Sequence, residues 1–274
     1  MELRQRALEA LSECDPATKV AATQAAWAAW TMSEAGAQFD PAAQLTPAQP
    51  LPGRPGSPRL VSAVEVPRRT PFTTEGRAAL LHAVAHIEFN AINLALDAVW
   101  RFAGMPIAYY RDWLSVAAEE ALHFTLVREH LNTLGRDYGD FVAHNGLWAM
   151  AESTAADLTA RMALVPRTLE ARGLDATPPM QRRLLQAGDA RAAEILGLIL
   201  RDEVGHVAIG NHWYRRQCAL AGLDPLDHYA ELTRRHGAPR LKGPFNLEAR
   251  RRAGFTPEEL AALEAVAGGR PAGD

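Results

Sequence analysis

The chain has 274 residues, 48% of them hydrophobic and 22% charged, with 29 basic against 32 acidic side chains for a net charge of −3. That is ample material for a large core in a soluble globular protein, and the slightly acidic balance argues against a general nucleic-acid binder. No apolar run approaches the roughly 18–20 residues of a membrane span, Cys14 and Cys218 cannot make a disulfide framework, and the charged N-terminus lacks a signal-peptide core, so a cytoplasmic location is expected.

Residues 1–40 read as an Ala-, Leu- and Glu-rich helical segment of one or two helices, spanning about 2–35. Residues 41–73 form a connector. Its eight prolines between 41 and 71 forbid a helix, so it is extended and is expected to lie on the body of the protein. A first long helix opens at Thr73 or Thr74 and stops near Gly104, with an apolar stripe of Leu81, Val84, Ala85, Ala91, Ile92, Ala95 and Val99. Pro106 starts a second, which ends at Gly135. The third is expected from about Leu147 to Arg172, interrupted by GLDATPP at 173–179. The fourth is centred on Glu203 and ends near Gly222, and residues 223–274 form a C-terminal extension with a basic loop. No stretch alternates as a strand, so the fold is expected to be all-α, with residues 74–222 as a four-helix bundle.

Acidic residues interrupt the apolar stripes at related places. Glu88 lies on the stripe of the first helix. Glu120 lies on that of the second, with His123 three residues later, and Glu203 on that of the fourth, with His206 three residues later. An i, i+3 pair faces one way on a helix, so each Glu-x-x-His unit, EALH and EVGH, is able to reach one metal ion. Glu88 precedes Glu120 by 32 residues and Glu170 precedes Glu203 by 33, which selects Glu170 over Glu152 as the matching lone carboxylate. A Glu from each of two helices and Glu-x-x-His from each of two others is the ligand set of ferritin-like di-iron or di-manganese bundles. Glu119 and Asp202, each one residue before a ligand, are candidates to orient the histidines from behind. His82 and His86 point away from Glu88 and read as a polar face or the rim of an access path. His130 is a candidate outer-shell partner. Trp100, Trp113, Trp148 and Trp213 read as core.

The segments HIEFNAINLALDAVWRF, AEEALHF, LEARGLDATP, RDEVGHVAIGNHW and APRLKGPFNLEARRRAGF, with LPGRPGSPRLVSAVEVPRR in the connector, resemble a bacterial ferritin-like family catalogued as domain of unknown function 455. The resemblance covers most of the chain and implies a ferritin-like di-iron carboxylate protein, without implying a reaction. The ligand pattern is also similar to that of the tRNA-modifying di-iron hydroxylase. Some di-iron monooxygenases carry Asp-Glu-x-Arg-His in the second unit, and Gly205 stands here where that Arg would be.

Carboxylates with two imidazoles suit iron or manganese rather than thiolate-seeking metals. Two Fe ions, or a Mn/Fe pair, with O2 as co-substrate make an O2-dependent hydroxylase or oxidase of a small molecule the leading expectation, served by an electron donor and able to form a homodimer. A ferroxidase, iron-handling or peroxide-detoxifying role is the alternative, and a tRNA-modifying hydroxylase the second. Segment 233–252 carries seven basic residues and one Glu; within it Arg240, Lys242 and Asn246 are candidates to hold an anionic substrate. RNA is the less expected partner, and a membrane is not expected.

Overall fold

A computed structural model of the protein describes residues 2–32, 40–67 and 70–268. The chain is all-α. Helices α1 (Leu3–Ser12), α2 (Pro16–Thr31), α3 (Thr74–Arg101) and α4 (Ile107–Thr133) are followed by α5 (Gly146–Ser153), α6 (Leu158–Leu164) and α7 (Ala171–Gln186). Then come α8 (Ala190–Ala221), α9 (Pro225–Arg235), α10 (Leu247–Arg252) and α11 (Pro257–Gly268). Among the described residues there is no strand, and an isolated bridge pairs Leu60 with Ala143. The expected end of the N-terminal helices near residue 35 lies outside the described residues.

Two compact units make up the chain, Met1–Trp148 with Leu184–Ile195, and Ala149–Arg183 with Leu196–Asp274. In the first, α3 and α4 pack along one another, with α1 against α3 and α2 against α4. The starts of these helices are written locally. Asp15 caps α2 ahead of Pro16, and the Thr73 hydroxyl caps α3 by accepting the Gly76 N–H at 3.1 Å. A Cβ at Gly76 would lie 1.7 Å from the Thr70 carbonyl, so only glycine lets the chain enter the helix there. The described part of the connector is tied to this unit. Gly53 N–H donates to Leu11 O at 2.9 Å, Arg54 donates to Asn145 Oδ1 at 2.7 Å, and Val61 N–H donates to Ala143 O at 2.8 Å.

Contrary to the sequence reading, α3 is long and apolar enough by composition to cross a membrane, but 72% of its apolar window is buried inside the protein. Its hydrophobicity is that of a core helix.

The expected third helix also differs. It breaks at 154–157, where Thr154 and Asp157 offer side-chain partners to the backbone: Thr154 Oγ1 donates to Met150 O at 2.8 Å and Asp157 caps α6. No interruption occurs at 173–179, and α7 runs straight through Pro178 and Pro179. Proline has no N–H to give the carbonyl four residues back. Here Asn246 Nδ2 donates to the Leu174 carbonyl at 3.2 Å in place of the missing Pro178 N–H. Asp175 beside it accepts the Asn246 N–H at 2.8 Å and pairs with the fully buried Arg250 at 2.6 Å. Around this knot Ala171, Leu174, Val204, Val207, Ala249, Ala253 and Phe255 form the core of the second unit.

Candidate metal centre

In the first unit α3 and α4 bring Glu88, Glu120 and His123 together. All three are buried, at 3%, 1% and 0% exposure. His123 Nδ1 lies 3.3 Å from both Glu88 Oε2 and Glu120 Oε2, and each residue places a possible ligand atom within 4.8 Å of the other two. Metal–ligand bonds are about 2.0–2.2 Å for imidazole and carboxylate donors, so one ion reaches such a trio with only small side-chain movement. The donors are oxygen and imidazole nitrogen, with neither cysteine among them, which fits iron or manganese.

The electrostatics agree with the fit. Two carboxylates taken out of water so close together repel, and each loses several kcal/mol of solvation unless compensated. Burial, then the neighbouring Glu120 charge, pushes the Glu88 carboxyl up to about 7 against the opposing pull of His123. Burial pulls His123 down, but its bonds to Glu120 and Glu88 more than reverse this and raise it to about 11. A proton on His123 thus supplies the compensating positive charge that a divalent cation would supply on a deprotonated imidazole.

In the second unit α8 carries Glu203 and His206, also buried, with His206 Nδ1 at 3.9 Å from Glu203 Oε2. Glu170 is half-buried and ends a π turn, Val165–Glu170, which widens the helix between α6 and α7. Pro166, the second residue of this turn, has no N–H, and Thr168 Oγ1 donates to Ala163 O, five residues back, at 2.8 Å. The Glu170 Oε2 atom is shielded from solvent. Inside the turn, the buried Arg167 pairs with Glu259 at 3.0 Å and lies over the rings of Tyr229 and Phe255 at 5.0 and 4.7 Å. Arg167 belongs to no motif of the sequence, and its local signal is its place three residues before Glu170.

The secondary candidates sit in different surroundings. Glu119 is exposed, about 100° around α4 from the buried Glu120. Asp202 is half-buried and paired with Arg201 at 2.8 Å. Arg240 and Lys242 are exposed in the loop between α9 and α10, whereas Asn246 caps α10 through Ala249 N–H and serves Leu174. His82 is not on a polar face. It is 1% exposed and accepts the Gly139 N–H on Nε2 at 3.0 Å. His86 lies 3.0 Å from the Tyr138 hydroxyl, beside an aromatic group of Phe89, Phe124 and Tyr138. His130 pairs with Asp189, at the start of α8, at 2.9 Å. The four tryptophans named above are buried, as expected of core.

Residues 12–261 match the family described as proteins of unknown function, DUF455. The chain belongs to this family. An uncharacterized protein of Haemophilus influenzae is 53% identical over 224 residues, covering 79% of this chain and 78% of its own. No solved structure matches. The DUF455 span includes both Glu-x-x-His units and both lone glutamates.

Proposed function

We propose that the chain is a carboxylate–histidine metalloprotein of ferritin-like type that binds two Fe ions, or Mn with Fe, and acts as an O2-dependent oxidoreductase on a small organic substrate. The observation that carries this is the buried trio of Glu88, Glu120 and His123, with a ligand atom from each within 4.8 Å of the others. The sequence repeats the same pattern in Glu170, Glu203 and His206, with nearly equal spacing.

Reduced iron held among carboxylates supplies electrons to O2 and so makes oxidation of an unactivated substrate possible. The chain's own residues do the rest. Glu88 and Glu120 supply negative charge where water is excluded, which strengthens their hold on a cation. His123 gives up its proton to become a neutral ligand, so binding is tighter as pH rises. Glu203 and His206, presented from one face of α8, with Glu170 from the π turn, are the second ligand set. An external electron donor completes the cycle.

Metal analysis of aerobically purified protein, followed by reduction and re-exposure to O2 under an absorption spectrometer, tests this. About two irons per chain are expected from the ligand arithmetic, with a near-ultraviolet oxo-bridge band lost in Glu203→Ala and Glu88→Ala. Fe(II) consumption without any organic substrate would favour the iron-handling alternative. Failure of the apoprotein to take up Fe or Mn would reduce the six residues to a buried polar network.

A further inference from the structure

The second unit carries a cleft that the metal reading does not use. One wall is a face of α8, where Ala208, His212, Arg215, Arg216 and Ala219 follow at helical spacing; the other is the end of α10, at Arg252, Ala253 and Gly254. Its volume is about 410 Å³, within the roughly 300–1,000 Å³ of small-molecule sites. Three guanidinium groups and an imidazole line it, and no lining residue carries a carboxylate, on a chain whose acids outnumber its bases.

The arginines are held in different ways. Arg215 Nη2 is anchored to Gly254 O and Glu259 Oε2, both at 2.6 Å, and since a guanidinium carries five N–H donors, Nε and Nη1 are left for another partner. Arg216 lies over the Trp213 ring at 5.6 Å, which orients it without using its donors. Arg252 is exposed on the last turn of α10. Neither Arg216 nor Arg252 has an ion pair among the described residues. Between these charges the walls are short: alanines, the Asn211 amide, and Gly254, whose φ of +84° and lack of Cβ let the chain turn away directly after α10. A charged rim over small apolar walls suits a ligand with a phosphoryl group at one end and a flat body at the other. Guanidinium forks match phosphate geometry, and the volume exceeds what phosphate alone would fill.

The geometry points to a binding site for a phosphorylated small molecule of nucleotide size, between α8 and the end of α10. Calorimetric titration of the full chain with adenosine 5′-monophosphate, ribose 5-phosphate, inorganic phosphate, adenosine and sulfate tests it. Saturable binding of the phosphate esters is expected, tighter than that of sulfate, weakening with salt and absent for adenosine. The double variant R216A/R252A, at exposed or half-exposed positions, should lose about 10-fold or more in affinity, as removal of charge-assisted hydrogen bonds predicts. Ala219→Glu, which adds a carboxylate to the cleft, should weaken binding similarly, and circular dichroism checks that both variants fold. No saturable binding of either ester at low salt would overturn the proposal. So would undiminished binding in both folded variants, or equal affinity for sulfate and the esters.

Discussion

His82 and His86 set how this fold answers acid. Burial pushes both imidazoles down to about 4, from an ordinary 6.5. The unfolded chain therefore takes up these protons first as pH falls, and stability is lost from about pH 6.5 towards pH 4. His82→Gln, which keeps an acceptor for the Gly139 N–H, should flatten part of that loss in denaturant titrations run across this pH range; an unchanged acid limb would show that His82 is not its source. Asn246 is the other residue with a large expected effect. Asn246→Ala removes the α10 cap and leaves the Leu174 carbonyl without its donor, a loss of about 1–3 kcal/mol in unfolding free energy. Arg240 and Lys242, a few residues earlier and exposed, should each change it by less than about 0.5 kcal/mol when replaced by Ala.

At the scale of the element, α8 offers a comparison within one helix. Gly205 is exposed and a Cβ there meets nothing within 4 Å, whereas a Cβ at Gly210 would lie 2.6 Å from the Pro166 ring carbons. Gly205→Ala should stabilise by about 0.5–1 kcal/mol through helix propensity. Gly210→Ala should destabilise by about 1–3 kcal/mol through overpacking against the π turn. Thermal unfolding of the two variants checks the sign of each. What the sequence revealed of these elements followed the reach of the interactions. Thr73, Pro106 and Gly135 mark helix ends through their own neighbours, and Glu88, Glu120 and His123 stand out because an apolar stripe repeats every turn. The continuity of α7 was illegible because the donor for Leu174 comes from 72 residues away. The burial of His82 is illegible for a similar reason, its partner being the backbone of Gly139, whereas the break at 154–157 is written locally in Thr154 and Asp157.

For the whole molecule, stability should depend on metal. An ion that binds the folded chain and not the unfolded one stabilises by mass action, by roughly 2.7 kcal/mol at a hundredfold excess over Kd. A strong chelator should then lower the melting temperature of the wild type by more than that of Glu88→Ala, which has lost one ligand of one set; equal shifts in both would place the bound ion elsewhere. The proline pair of α7 has a consequence in time. A ribosome adds about 5–20 residues per second, so Asn246 is joined to the chain several seconds after Leu174. Through that interval the middle of α7 lacks the donor that its prolines cannot supply, and the helix is completed late, by a residue from the far end of the message. Nascent chains halted just before Asn246 should be cut by protease near Pro178, and chains halted well past α10 should not.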